Sequence, residues 1–184
     1  MINWKEHSLK EILKYESSLY FKSKGELILR NIMHAERAEI WKFQKNLRKA
    51  EYYKFKKKKI RYAIFLRKKN KIGNRIGISI HCNSFDMGLH IYHIGSIIVN
   101  GFAKIGKNCK LHGNNCIGNK GSYSFVPLIG DNVEFGYGAS VYGNIKIASN
   151  SFLAAGCVAV RSINNEGEIW GGVPAKNIKM GLEQ

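Results

Sequence analysis

Residues 88–101 read GLHIYHIGSIIVNG, with His90 and His93 three apart in a run of aliphatic side chains. Imidazole ordinarily titrates near pH 6.5, so it can take a proton at neutral pH and give it back. One histidine beside a bound hydroxyl is enough to activate that hydroxyl as a nucleophile. His93 stands six residues before Val99, where a six-residue rhythm of aliphatic residues begins. Counted back in sixes it falls in the aliphatic column, a poor place for an imidazole unless chemistry requires it. His93 is therefore the candidate general base. The other ring nitrogen of such a base needs an acceptor to fix its orientation; Asp86 is the nearest carboxylate in sequence, and a backbone carbonyl would serve as well. His90 either packs or lines an acceptor site, His112 packs or sits at a turn, and His81 carries no role.

The rhythm describes the scaffold. Large apolar residues recur at Val99, Ile105, Leu111 and Ile117, and after an irregular patch at Ile129, Phe135, Val141, Ile147 and Leu153. Four places after these lies a mostly small column: Ala103, Cys109, Asn115, Ala139, Ser151 and Cys157. A fixed period of six with two internal columns is the signature of a parallel β-helix, in which each coil buries its apolar residues on the next. Cys109 and Cys157 then act as small core residues, and Cys116 neighbours Ile117. With no CxxC spacing, a zinc site or redox pair is not expected. The patch from Asn119 to Pro127 is a loop leaving the coil; its Tyr123 and Phe125 suit the face of a sugar or a cover over a neighbouring subunit.

Before Ile72 the grammar is helical. HSLKEILKYESSLYF and GELILRNIMHAERAEIWKFQKNLRKAEYYKF space apolar residues by three and four without proline, and KFKKKKIRYAIFLRKK continues as a basic segment with an apolar side. The expected organisation is a basic helical region over 1–71 and a β-helix over 72–184. The 184 residues carry a net charge of +17, and from Trp41 to Arg75 there are 15 Lys or Arg against the single acid Glu51. Such a block attracts an anionic partner, whether nucleic acid, acidic lipid or acidic glycan, or is a solvated face. The start MINWKEHSLK lacks the apolar core of a secretory signal, and no apolar run approaches about 18 residues. The expectation is a cytoplasmic protein, with the inner face of the membrane as the alternative location.

The segments GLHIYHIGSIIVNGFAKIGKNCKLHGNNCIGN, PLIGDNVEFGYGASVYGNIKIASNSFLAAGCVAV and WGGVPAKNIKMG resemble the hexapeptide-repeat acyltransferases of left-handed β-helix fold. More narrowly, they resemble the serine acetyltransferase branch and its relatives that O-acetylate bacterial capsular or other surface polysaccharides. The resemblance implies a mainly β chain, a left-handed parallel β-helix with an N-terminal α-helical region, working as a homotrimer with acetyl-CoA as donor and no metal. It implies His93 as base, Tyr137 and Ala155 against the pantetheine and adenine parts of acetyl-CoA, and Lys176 near its phosphates. His90, Tyr123 and Trp170 are the candidate acceptor contacts, Trp170 alternatively capping the last coil.

Three positions depart from the serine acetyltransferase pattern. Tyr92 and Ser79 stand where that branch carries aspartates, and Val126 stands where it carries a histidine before Pro127. The grip on the carboxylate and amine of serine is thereby lost, while acetyl transfer to a hydroxyl survives. The leading expectation is an O-acetyltransferase acting on a surface polysaccharide or its sugar precursor, with the basic block near an anionic membrane or glycan. The alternatives are serine O-acetyltransferase in cysteine biosynthesis and a non-catalytic basic binding module. For the last, nothing resembling a helix-turn-helix or an aromatic RNA-binding motif supports nucleic acid as partner.

Overall fold

The computed structural model describes residues 1–122 and 125–178. Four helices come first: α1 (Leu9–Ser18), α2 (Lys24–Ile32), α3 (Glu36–Phe55) and α4 (Lys59–Ile76). Ser8 caps α1 through a reciprocal box with Glu11, and Ser23 caps α2. The long helical stretch of the sequence is broken between α2 and α3, where His34 turns to φ +50°. The helical region also runs to Ile76, beyond the boundary expected at 71, and stops at Gly77, whose φ of +76° ends the helix in the left-handed conformation. Gly73, inside α4, marks a close approach: a Cβ there would collide with the Ile78 carbonyl and meet the Phe43 ring at 3.0 Å.

Five coils follow. The first holds β1 (Ile78–Ser79), a bridge at Phe85 and β2 (His90–Ile91); the second holds β3 (Ile97–Val99), β4 (Lys104–Ile105) and β5 (Lys110–Leu111). The third holds β6 (Cys116–Gly118), β7 (Leu128–Ile129) and β8 (Glu134–Phe135), and the fourth β9 (Ser140–Tyr142), β10 (Lys146–Ile147) and β11 (Phe152–Leu153). The fifth has β12 (Val158–Ala159), a bridge at Ile163 and β13 (Ile169–Gly171), on which β14 (Lys176–Asn177) folds back antiparallel. Equivalent strands of successive coils pair in parallel, making three flat faces.

The inward columns are Ile80, Val99, Ile117, Val141 and Ala159 on the first face, Phe85, Ile105, Ile129, Ile147 and Ile163 on the second, and Ile91, Leu111, Phe135 and Leu153 on the third, all buried. Trp170 ends the third column. The small column is likewise buried, Cys109 and Cys157 included. The periodicity expected from the sequence is thus the packing observed.

A parallel coil stack leaves an open strand edge at its first coil. Here polar side chains of the helical region reach backbone groups along that edge. Lys69 Nζ donates to the Ile80 carbonyl (2.7 Å), and Glu51 Oε1 accepts the Asn83 N–H (2.8 Å). Arg48 donates to the carbonyls of Phe85 (3.1 Å) and Asp86 (2.6 Å), while Glu16 accepts the Gly88 N–H (2.9 Å). Gln44 donates to the Leu89 carbonyl (2.7 Å), and the Tyr20 hydroxyl accepts the Ile91 N–H (2.9 Å). Arg48 itself is wholly buried between Glu16 and Glu51, at 2.8 and 2.9 Å. Helices and coils accordingly share one hydrophobic core.

Candidate active site

The corner after the third face gathers the candidate side chains. Along the regular coils six residues separate one inward residue from the next, but from Ile91 to Val99 there are eight. Ile91, paired with Leu111, fills the inward slot. His93 therefore does not lie in the aliphatic column; it projects at the corner with its side chain 60% exposed. The first coil has helices rather than a coil above it, so nothing holds its corners to the six-residue length.

The carboxylate beside His93 is that of Glu36, at the first turn of α3. Its Oε2 lies 3.3 Å from His93 Nδ1, and its Oε1 accepts the Ile94 N–H at 2.7 Å. Among the described residues His93 Nε2 has no hydrogen-bond partner, so it is the nitrogen open to a ligand. Asp86 is not the orienting acid. Its carboxylate is engaged by the amino group of Met1 and by the Met87 N–H, each at 2.7 Å. Burial pushes the Asp86 carboxyl up, but those two bonds outweigh it and hold the group below its usual range.

Coil-to-coil pairing on the third face places His93, Gly113, Tyr137, Ala155 and Gly172 in one vertical ridge. Gly138 donates to the Gly113 carbonyl (2.9 Å) and Gly156 to that of Tyr137 (2.8 Å) along it. At a strand spacing of about 4.8 Å, His93 and Ala155 lie roughly 14 Å apart along the ridge. Gly113, at φ +126°, separates two rings: a Cβ on it would meet the Tyr137 ring at 3.1 Å and the His93 Cβ at 3.3 Å. Asn115, fully buried, shores the corner by accepting the Gly113 N–H (2.9 Å) and donating to the carbonyls of Gly136 (2.8 Å) and Ala139 (3.1 Å). Below the exposed Tyr137 ring, whose hydroxyl accepts from Asn114, the ridge is a ledge of small residues; a Cβ on Gly156 would touch nothing within 4 Å. Lys176, exposed, pairs beside Gly171 at the lower end. Such a ledge fits an extended acyl carrier laid along the coil stack.

Outside the third face lies an aromatic row. Tyr92 stacks on His90 at 4.3 Å and lies 4.5 Å from His112, and Tyr20 meets His90 edge-on at 4.9 Å. Burial, then the nearby cations of Lys110, Arg37 and His112, depress the His90 imidazole to about 4. His90 is thus a neutral, half-buried ring packed between Tyr20 and Tyr92, and the row rather than His90 alone borders the corner. Glu134 accepts from Lys110 and His112, both at 2.8 Å; burial raises its carboxyl, yet these bonds hold it below the usual range.

Trp170 is the bottom of the third inward column, and its Nε1 donates to Glu168 at 2.8 Å. It closes the stack and is not on the ridge. Tyr123 lies outside the described residues. Phe125 is exposed, but its loop leaves the corner between the first and second faces, a different corner from that of His93. Among the described residues no three His, Cys, Asp or Glu side chains converge as metal ligands would. Glu36 and Asn115 were missed by sequence reasoning. Glu36 stands 57 residues before His93, and its one local signal, an acid at a helix start, reads as helix-dipole compensation.

No family model matches the chain. A serine acetyltransferase of Synechococcus elongatus is 30% identical over 105 residues, covering 55% of this chain and 43% of that protein, so the chain spans less than half the length of the curated relative it matches. Among solved structures, serine acetyltransferase from Brucella abortus strain S19 superimposes with a TM-score of 0.72 at 20% identity, covering 92% of this chain and 68% of that one. The Neisseria gonorrhoeae enzyme superimposes with a TM-score of 0.70 at 24% identity, covering 99% and 69%. At these identities the likeness establishes architecture: the chain has the helix-capped, left-handed β-helix fold of the serine acetyltransferases.

Proposed function

We propose that this protein is an acetyl-CoA-dependent O-acetyltransferase in which His93 is the general base and Glu36 its positioning residue. The observation that carries the reading is the ridge, which aligns an exposed, carboxylate-buttressed imidazole with a ledge of small residues on the same corner. Solved serine acetyltransferases of this fold include complexes with CoA. Acetyl-CoA, lying along Tyr137, Ala155 and Gly156 toward Lys176, supplies an acyl group already activated as a thioester. Glu36 accepts the Nδ1–H of His93 and leaves Nε2 free to take the proton of the acceptor hydroxyl. His93 then returns that proton to the departing thiolate, so no covalent intermediate on the protein is needed.

The acceptor we favour is a sugar hydroxyl of a surface polysaccharide or its precursor. Tyr92, adjacent to the base, presents an aromatic ring where a carboxylate would grip an amino acid, and aromatic faces suit sugar rings. A homotrimer fits the corners: the Phe125 loop and His93 occupy different corners of one chain, so the loop can cover His93 only on a neighbouring copy. Serine as acceptor is the second reading, favoured by the relatives named above, one of which was solved with serine bound.

The test is release of CoA from acetyl-CoA with L-serine, and separately with a panel of polysaccharides and nucleotide sugars, as acceptors. Turnover on carbohydrate and not on serine supports the first reading; the reverse pattern replaces it with the second. His93→Ala is expected to lower turnover by about 10²–10⁴-fold. Glu36→Gln is expected to lower kcat about tenfold, with KM for acetyl-CoA and the melting temperature unchanged. Full activity in His93→Ala would remove the proposed base.

A further inference from the structure

We infer that the tip of the α3–α4 hairpin is a docking surface for an anionic lipid bilayer. Eleven Lys and Arg, and no acid, lie between Tyr52 and Arg75. The turn joining the helices is four consecutive lysines, Lys56 to Lys59, with Lys57 at φ +54°. Among the described residues, none of the cations from Lys54 to Lys71 has a carboxylate partner. Aromatic rings support them instead: Lys56 lies over Tyr52 and Phe55 (5.7 and 5.5 Å), and Arg61 over Tyr53 (5.4 Å). Lys69 turns inward to the Ile80 carbonyl, but the four turn lysines, Lys56 to Lys59, are exposed and unneutralised by the protein.

A second observation selects the kind of anion. At the crown of this basic turn stands Ile60, 79% exposed, with Ile64 at 45% and Phe55 at 40% beside it. Ile60, Ile64, Arg67 and Lys71 follow the i, i+4, i+7, i+11 spacing and are all exposed, forming one outward stripe of α4 that begins apolar and becomes basic. Duplex nucleic acid and anionic glycans offer nothing to a protruding isoleucine. A bilayer offers both phosphates for the lysines and an acyl boundary for Ile60. No helix among the described residues is long and apolar enough to cross a membrane, so the contact is peripheral. The geometry also gives it a distance from the proposed site. α3 starts at Glu36 and ends at Phe55, a 20-residue helix that at 1.5 Å per residue sets the tip about 29 Å from the corner.

The experiment is co-sedimentation of the full chain with vesicles of phosphatidylcholine, with or without one third phosphatidylglycerol, at low and high salt. Binding is expected only with phosphatidylglycerol and is expected to weaken as salt rises. Lys57→Gln/Lys58→Gln/Lys59→Gln should lower affinity on the order of a hundredfold, and Ile60→Ser about tenfold. Both variants change exposed side chains, and unchanged circular dichroism will confirm that they fold. Leu29→Ser/Ile32→Ser, on the exposed apolar face of α2, should bind as the parent does. Three results would each overturn the inference: no sedimentation with anionic vesicles, loss of binding in the α2 variant but not the tip variants, or tighter binding to heparin or duplex DNA that Ile60→Ser leaves unchanged.

Discussion

The two ends of the shared core satisfy the same backbone groups by different means. Between coils, N–H meets C=O of the next coil, and any apolar residue of suitable volume continues the column. Over the first coil, the partners are individual side chains of the helical region: Lys69, Glu51, Arg48, Glu16, Gln44, Tyr20 and Glu36. The repetitive end tolerates exchange because its stabilisation is distributed. The capped end does not, because loss of one partner leaves buried charge without another to meet it.

Substitution should expose that contrast most sharply at Arg48. Arg48→Met leaves Glu16 and Glu51 buried beside each other and unpaired, and is expected to cost about 3–5 kcal/mol in urea unfolding. If it costs less than about 1 kcal/mol, the cap is not the specific end. In mid-stack, Ile117→Val removes one buried methyl group and should cost about 0.5–1.5 kcal/mol. A larger loss there would mean that the coils, too, depend on individual side chains.

The smallest effect concerns pH. The folded protein holds the His90 imidazole at about 4, below its ordinary value near 6.5. Between these values the unfolded chain binds the proton and the folded one does not, so stability falls as pH drops through that window and levels off below it. Because the ring is only half-buried, solvent screening keeps the effect modest. His90→Gln should flatten the pH dependence of the melting temperature across that window; an unchanged slope would show that the cap's acid sensitivity lies elsewhere.

Much of the coil was legible because its interactions are local in period: Val99 to Leu153 predicts its own packing, and the small column containing Cys109 and Cys157 is buried as expected. The ridge was partly legible, since Tyr137 and Ala155 follow the same inward column two residues on. The site's first coil was not. Counting in sixes puts His93 where Ile91 sits, because the corner before Val99 is two residues longer and no coil above it enforces the repeat. Asp86 is near in sequence and yet committed to Met1, whereas Glu36 is distant in sequence and in contact.

Sequence alone therefore determined what repetition encodes: a β-helix with an aliphatic and a small column, a helical region with an acid-poor basic block, and one histidine near the point where the repeat becomes regular. Only the tertiary structure decided which carboxylate faces that histidine, where the helical region closes the open strand edge, and that Trp170 closes the last coil. The physical reason is that a period of six is written in neighbouring residues and needs no long-range information. A capping contact is a single pairing between side chains and backbone groups that no local pattern records.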